Sequence, residues 1–320
     1  MSTVQTVRGP VDTGDLGTTL MHEHVFVLSP DSQRQWQNDW DEDARVADAV
    51  ARLQVLVDSG VQTIVDPTVD GLGRDIPRIA GINEQVPGLH VIVATGVYTY
   101  ADVPGYFSSR GPGALPDLPE PMVDLFVRDI EVGIQGTEVR AAFLKCAIDH
   151  HGLTRGVERV MRACAQAQRR TGVPLMVHTH PGKQTGLDVQ KVLAGEAVPP
   201  SAVLLAHSGD SADADHLQQL ADAGFLLGMD RFGIDTILDF EGRVGVVAEL
   251  CRRGYAASMV LSQDAACHID WVDPELLPFL PNWTYLHVQR DVVPALLERG
   301  VTQDQVDQML VGNPRRFFES

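Results

Sequence analysis

The segment Thr18-Thr19-Leu20-Met21-His22-Glu23-His24 places two histidines directly after a short strand-like run. Side chains two residues apart on a strand point to the same face, so His22 and His24 are predicted to point inward together, with Glu23 pointing out. Two imidazoles on one side of a strand can chelate a metal ion. The triplet alone is a weak signal, because surface pairs of histidines are common. The rest of the chain therefore decides how it is interpreted.

Short apolar runs alternate with amphipathic segments along the whole chain. The predicted strands are residues 18–21, 62–65, 90–94, 140–144, 174–177, 202–206, 225–229 and 258–262. The segments between them have helical periodicity, as in the series Val157, Val160, Met161, Cys164 and Gln168. Strands separated by helices pair in parallel through right-handed crossovers. We predict an α/β fold of one domain over residues 1–320, a TIM (β/α)8 barrel.

An open, doubly wound sheet is the alternative architecture. No Gly-x-Gly-x-x-Gly follows the first predicted strand, whereas polar residues follow almost every strand. A barrel assembles its active site from the carboxyl ends of its strands, so this recurrence favours the barrel. Residues 111–121 and 267–283 are predicted to be long loops.

Charge and cysteine content exclude several functional classes. Lys and Arg number 25 against 43 Asp and Glu, which gives a net charge of −18 and no basic footprint for nucleic acid. Such a surface is also repelled by anionic membranes. The N-terminus resembles no signal peptide, and no apolar run is long enough to cross a membrane. The four cysteines lack paired spacing and are predicted to be buried thiols, which suits a cytoplasmic protein.

Four further polar residues end predicted strands, namely Lys145, His178, His207 and Asp264. Each has an ordinary explanation when taken singly. The lysine could reach solvent, the histidines could be satisfied barrel residues, and the aspartate could cap a helix. Their occurrence in chain order at successive strand ends favours a shared site with His22 and His24.

The sequence resembles the phosphotriesterase-like lactonases of the amidohydrolase superfamily over essentially its whole length. The matching motifs are Thr19-Leu20-Met21-His22-Glu23-His24, His207-Ser208-Gly209-Asp210, Gly228-Met229-Asp230-Arg231-Phe232-Gly233 and Asn313-Pro314-Arg315-Arg316-Phe317-Phe318. The resemblance implies two divalent metal ions bridged by a carboxylated lysine and a hydroxide. The implied ligands are His22, His24, Lys145, His178, His207 and Asp264. His22, His24 and Asp264 would hold the more buried ion, and His178 and His207 the more exposed one.

The chemistry of these residue types agrees with that implication. Burial favours the neutral lysine amine, which can add carbon dioxide to form a carbamate with two bridging oxygens. Lys145 is the implied N6-carboxylated bridge. Zinc is the first expectation for the ions, and cobalt, iron and manganese suit the same nitrogen and oxygen ligands.

The resemblance also implies a substrate class, because Tyr98 and Arg231 match residues that orient a lactone ring. With Asp264 as the residue that moves the proton, they form the expected catalytic set. Trp271 and Ala266 are expected to contact the substrate. The alanines at 265 and 266 imply a roomy acyl channel, which His268 puts in question. The expected reaction is opening of N-acyl-homoserine lactones, a quorum-quenching activity, with weak hydrolysis of organophosphate triesters and a homodimeric assembly.

Three other functions stay open at this point: a dedicated phosphotriesterase, a cyclic-amide hydrolase such as a dihydroorotase, and a non-catalytic protein that binds a metal or ligand. Several polar residues are not assigned to the metal site. His180 lies beyond a strand end, Asp66 is expected to be structural, and the others lie in loops, at a strand start or on helices: His150, His151, His90, His216 and His287.

Overall fold

The computed structural model describes residues 2–36 and 40–319. The strands are β1 Thr3–Thr6, β2 Gly9–Asp12, β3 Thr19–Leu20, β4 His24–Val27, β5 Thr63–Asp66, β6 His90–Gly96, β7 Phe143–Ala147, β8 Leu175–His178, β9 Val203–Ala206, β10 Leu226–Met229, β11 Met259–Leu261 and β12 Ala266–Ile269. The α-helices are α1 Pro30–Trp36, α2 Glu42–Asp58, α3 Ile76–Gln85, α4 Gly105–Ser108, α5 Pro121–Glu131, α6 Arg155–Thr171, α7 Thr185–Gly195, α8 Ala214–Asp222, α9 Phe240–Arg252, α10 Val293–Glu298, α11 Gln303–Asp307 and α12 Asn313–Glu319.

The central sheet has eight parallel strands in the order β3-β5-β6-β7-β8-β9-β10-β11. Each of the eight predicted runs overlaps one of these strands. Most connections carry a helix, which is the arrangement that parallel strands require. The predicted fold class, a TIM (β/α)8 barrel, is confirmed, and the open-sheet alternative is wrong.

The barrel is closed by an extension above its first and last strands. The amide of Asp264 donates to the carbonyl of His22 (3.0 Å), and the amide of His24 donates to the carbonyl of Ala265 (2.8 Å). Beyond these bonds β4 pairs in parallel with β12. The prediction of one long loop over residues 267–283 is therefore wrong in part. That segment contains most of β12 and a 3-10 helix, Pro274–Phe279, whereas residues 111–121 form a loop up to the start of α5.

Alternation along the strands divides the core into two layers. On β7, Phe143 packs inside the barrel with Met176 and Leu204, whereas Leu144 packs outward against the helices. All the predicted apolar positions on α6 are buried in that outer layer. All four cysteines are buried and free of disulfides. Among the described residues, no helix combines the length and the apolar character needed to cross a bilayer.

A hairpin that sequence patterns did not predict precedes the barrel. Strands β1 and β2 pair antiparallel, and Gly9 at their turn has a φ of +100°, which a glycine adopts freely. Val4 from this hairpin packs with Leu16 and Phe317 in the inner core. The hairpin thus contributes to the packing inside the barrel.

Candidate metal centre

The six predicted ligands line one cavity of about 140 Å³. His178 ends β8, and three others follow the ends of β3, β9 and β11, namely His22, His207 and Asp264. Lys145 lies in the middle of β7, and His24 begins β4. The remaining lining residues are Val27, Leu72, Tyr98, Tyr100, Asp149, Arg231, Ala266, Ile269, Trp271 and Trp283. The carboxyl ends of the strands are where barrel enzymes assemble their sites. The structure therefore brings together residues that span more than 240 positions of the chain.

Two groups of three described residues could hold a metal ion: His22, His24 and Asp264, and His22, His207 and Asp230. The first group belongs entirely to the predicted ligand set. The Nε2 atoms of His22 and His24 each lie 3.3 Å from Oδ1 of Asp264, and the three residues offer their ligand atoms within a radius that suits a cation. Asp264 has a φ of 55°, in the left-handed region that few residues other than glycine adopt. It precedes β12 and caps no helix, so the ordinary explanation considered for it is wrong. Nitrogen and carboxylate oxygen are suitable ligands for zinc and similar ions.

The other two histidines lie beside this group. The rings of His178 and His207 have centroids 4.3 Å apart, and the ring of His22 is 4.8 Å from that of His207. His207 also has a left-handed backbone, with a φ of 66°. Strained backbone of this kind persists only where its surroundings enforce it, and it is concentrated at functional sites.

Lys145 enters the cavity from β7 and is 1% exposed. Its Nζ has no hydrogen-bond partner among the described residues. Burial lowers the pKa of Lys145 to about 8, so the neutral amine is readily available. Leaving a buried amine without a hydrogen-bond partner costs free energy. The environment is therefore suited to a lysine whose Nζ carries an additional group. The donor set and this lysine are thus compatible with the two-metal centre that the sequence predicts.

Three carboxylates outside the predicted set hold the imidazoles. Asp230 lies within hydrogen-bond distance of Nδ1 of His22 (2.9 Å) and of Nδ1 of His207 (3.0 Å). Asp149 lies 3.0 Å from Nε2 of His178. Thr68 contacts Nδ1 of His24 (2.7 Å), and its hydroxyl donates to Asp66. One nitrogen of each ring is thus held by a partner, as is common for histidine ligands in metal sites.

Sequence reasoning missed Asp149 and Asp230 as site residues, although signals were present. Asp149 continues the alternation of Phe143, Lys145 and Ala147 beyond the end of β7. Asp230 directly follows β10. Asp66 was predicted to be structural, and it accepts hydrogen bonds from the amides of Val25 and Thr68.

The electrostatics of the cluster favour neutral imidazoles at three positions. Burial lowers the pKa of His178 to about 4 and holds those of His22 and His207 well below the ordinary value. His24 differs: burial lowers its pKa, but hydrogen bonds to Asp264 and Asp66 outweigh burial and raise the pKa to about 9. A neutral imidazole is the form that binds a metal ion.

The residues predicted to meet the substrate surround the same cavity. Arg231 Nε donates to Oδ2 of Asp264 (2.9 Å), and its Nη1 donates to Asp210 (3.0 Å). Arg231 is therefore held between two carboxylates. The Tyr98 ring lies 5.3 Å from that of His178 and 5.6 Å from that of Trp271. Trp271 is 37% exposed, so the cavity reaches solvent beside this ring.

One prediction about the acyl channel needs correction. Ala266 lines the cavity, but Ala265 is buried in the outer core, because neighbouring residues on a strand point to opposite faces. His268 also faces away from the cavity, with its ring 5.5 Å from that of Trp40. Only Ala266 of the two alanines can therefore widen the channel, and His268 does not restrict it.

Glu23 and the unassigned histidines lie outside the cavity. Glu23 accepts from the hydroxyl of Ser262 and from the amides of Gln263 and Ala265, and burial raises its pKa to about 8. His180 lies beyond the end of β8 as predicted, and His150 reaches only the rim, where its ring is 5.5 Å from that of Tyr100. The rest also fall outside the cavity lining: His90, His151, His216 and His287.

Comparisons with known proteins agree with this geometry. The model of the Phosphotriesterase family matches residues 2–318. The chain is 55% identical to a "Phosphotriesterase homology protein" of Mycobacterium tuberculosis over all of its own length and 98% of the relative. It is 37% identical to an "Aryldialkylphosphatase" of Saccharolobus solfataricus, covering 97% of this chain and 98% of that protein. The solved structure described as the phosphotriesterase from Mycobacterium tuberculosis superimposes with a TM-score of 0.97 at 55% identity, covering 99% of this chain and 98% of that one.

Proposed function

This chain belongs to the phosphotriesterase family, and on that premise we propose that it is a metal-dependent lactonase that opens N-acyl-homoserine lactones. Family membership establishes the coarser statement, a hydrolase of the phosphotriesterase family. The finer assignment concerns the substrate. It rests on the residues that surround the ligand cluster.

The observation that carries the proposal is the presence of two different hydrogen-bond donors beside the ligand cluster. Arg231 is fixed by Asp210 and Asp264, and Tyr98 lies against His178 with its hydroxyl 3.5 Å from Asp149. Burial raises the pKa of Tyr98 above its ordinary value, so the phenol keeps its proton and can donate it in a hydrogen bond. A lactone offers a carbonyl oxygen and a ring oxygen, and two fixed donors can orient both.

The residues that would hold the metal ions are His22, His24 and Asp264 for one ion, and His178 and His207 for the other, with carboxylated Lys145 between them. When bound, two divalent ions supply a water-derived nucleophile near neutral pH and polarise the carbonyl that it attacks.

Asp264 is the proposed proton carrier. Its Oδ1 faces His22 and His24, whereas Oδ2 accepts a hydrogen bond from Arg231. Burial favours the protonated acid, but the interactions with His22, His24 and Arg231 outweigh burial and hold the pKa of Asp264 well below its ordinary value. The carboxylate is therefore ionised and can accept the proton of the attacking water. The same group then returns the proton to the alkoxide that leaves when the ring opens.

The shape of the cavity supports a substrate with a compact head and an apolar tail. A volume of about 140 Å³ suits a small ring rather than a whole acylated molecule. Ala266, Ile269 and Trp271 line its outer part, and the 3-10 helix that follows exposes Leu276, Leu277 and Phe279. An acyl chain leaving the cavity would meet these apolar side chains, whose contact with it is favourable.

A dedicated phosphotriesterase is the second candidate, because the relative from Saccharolobus solfataricus carries the name aryldialkylphosphatase. The same nucleophile can attack a phosphoryl centre, so we propose organophosphate hydrolysis as a weak side activity. Zinc as the native metal, a homodimeric assembly and a cytoplasmic location complete the proposal on the basis of family resemblance. Metal analysis and light scattering test the first two.

The deciding experiment compares two substrates on metal-loaded protein. Proton release in a pH-stat is measured with a long-chain N-acyl-homoserine lactone and with paraoxon. We expect kcat/KM for the lactone to exceed that for paraoxon by orders of magnitude. A preference for paraoxon would replace the lactonase proposal by the second candidate, and no turnover of either substrate would favour a binding protein.

Removal of the Tyr98 hydroxyl should separate the two substrates. For Tyr98→Phe we expect kcat/KM for the lactone to fall by about tenfold, the cost of one hydrogen bond. Paraoxon hydrolysis should change little, because the proposal assigns the phenol to the lactone ring. Tyr255→Phe, which removes a hydroxyl that donates to Asp222 away from the cavity, controls for general effects of losing a phenol. Equal losses for both substrates would show that Tyr98 supports the site rather than the lactone.

A further inference from the structure

Asp230 contacts a ligand from each of the two predicted metal groups. One oxygen, Oδ2, lies 2.9 Å from Nδ1 of His22, and the other, Oδ1, lies 3.0 Å from Nδ1 of His207. The amide of His207 also donates to Oδ1, at 2.8 Å. Asp230 is 0% exposed, so these contacts replace its hydration completely.

We propose that Asp230 is a positioning residue that couples the two metal positions through His22 and His207. The inference rests on the proposed metal centre and adds a role for a residue outside the ligand set. Each oxygen lies within hydrogen-bond distance of one Nδ1, so an ionised Asp230 would favour a proton on Nδ1 of each ring and leave each Nε2 available as a ligand. The positions of the two rings are therefore linked through a single carboxylate.

The absence of a side chain at Gly228 leaves the space that the Asp230 carboxylate occupies. A Cβ atom on Gly228 would lie 2.4 Å from Oδ2 of Asp230, which is too close for any side chain at that position. The glycine lies on β10, two residues before the aspartate. The close approach of Asp230 to the backbone is therefore part of the strand itself.

The other two histidines have separate partners. Asp149 contacts Nε2 of His178 (3.0 Å), and Thr68 contacts Nδ1 of His24 (2.7 Å). Neither partner contacts His22 or His207 in these hydrogen bonds. Asp149→Asn is thus a matched control for Asp230→Asn: the chemical change is the same, but His178 is the one predicted ligand that Asp149 contacts in these bonds, its other contacts being His150 and Tyr98.

An amide at position 230 has a predictable orientation. The backbone amide of His207 always donates, so the amide oxygen of Asp230→Asn must take the place of Oδ1. The amide NH2 then faces Nδ1 of His22, which can accept only if its proton moves to Nε2. A proton on Nε2 blocks that nitrogen as a ligand. We therefore expect the His22 position to weaken while His207 keeps its state.

The test uses metal binding and histidine tautomers, neither of which needs a substrate. Metal-free protein labelled with 15N in its histidines is examined by NMR, and zinc is then titrated against a competing chelator. In the wild type we expect Nδ1-protonated His22 and His207 and two bound ions. In Asp230→Asn we expect His22 to become Nε2-protonated and zinc affinity at its position to fall by about 10- to 100-fold, the usual effect of losing such a partner.

Two further variants complete the test. Asp230→Ala should weaken both positions, whereas Asp149→Asn should weaken only the position that contains His178. Unchanged tautomers and affinity in a folded Asp230→Asn would overturn the inference. If the variants do not fold, an Nε2-protonated His22 or His207 in the metal-free wild type would also overturn it. A wild type that binds fewer than two ions would instead refute the proposed metal centre, so the two failures are distinguishable.

Discussion

Asp264→Asn is expected to lower kcat for lactone opening by about a thousandfold, within the range that a positioned acid or base contributes. The carboxylate is ionised, and its two oxygens face different neighbours: Oδ1 faces the histidines His22 and His24, and Oδ2 accepts from Arg231. The amide keeps one oxygen and the volume of the side chain, but it cannot carry a proton from the attacking water to the leaving group. Asparagine also tolerates the left-handed backbone of this position, where φ is 55°.

The measurement is the pH-stat rate together with the metal content of the same sample. Asp304→Asn, on the exposed start of α11, is the control for a change of charge alone. Activity within threefold of the wild type at full metal content would remove Asp264 from the proton pathway. Loss of activity together with loss of both ions would show that the residue acts mainly as a ligand.

Lys145→Met is expected to abolish activity and at the same time to stabilise the metal-free protein. Methionine has a similar length but no amine that could be carboxylated, so the predicted bridge cannot form. In the metal-free wild type Nζ is buried without a hydrogen-bond partner among the described residues. Removing such a group should raise the free energy of unfolding by about 1–3 kcal/mol.

The stability gained by Lys145→Met should increase as the pH falls. Burial lowers the pKa of Lys145 from 10.5 to about 8, so between these values the unfolded chain binds more protons than the folded one. The wild type therefore loses stability as the pH falls from 10.5 to 8, and the loss remains below 8. The advantage of the variant should grow over the same interval. Urea unfolding of metal-free proteins at several pH values, with Lys191→Met on α7 as the control, measures it. If the variant were less stable than the wild type at every pH, the buried amine would not be destabilising the metal-free protein.

The barrel was predictable because its signals are local. Each strand is a short apolar run, and each predicted ligand lies within three residues of the end of such a run, so neither needed knowledge of distant contacts. The hairpin of β1 and β2 and the pair of β4 and β12 were not predicted. Their sequences are short and partly polar, and they become strands only through pairing with partners that the local pattern does not identify.

The aspartates that contact the ligand histidines could not be assigned to the site from the sequence. Asp149 and Asp230 follow strands just as the predicted ligands do, but an aspartate in a loop has many ordinary roles. Asp230 is distinguished only by its contacts with Nδ1 of His22 and Nδ1 of His207. These two histidines are far apart in the chain. The error at Ala265 has another cause: a loop was assumed where a strand begins, so alternation was not applied.

Because β12 pairs with β4, the segment that follows β12 at the barrel rim can vary in sequence without changing how the barrel closes. Main-chain bonds anchor the segment up to Ile269 and hold His24 and Ala266 in register, independently of the side chains that follow. Asp270 still bonds to Val27 and Ser29, and at the far end Trp283 donates to the carbonyls of Gln263 and Asp264. The residues between these two fixed points expose Leu276, Leu277 and Phe279. Substitutions confined to this intervening stretch can therefore alter the accepted tail while barrel closure and the ligand cluster stay intact.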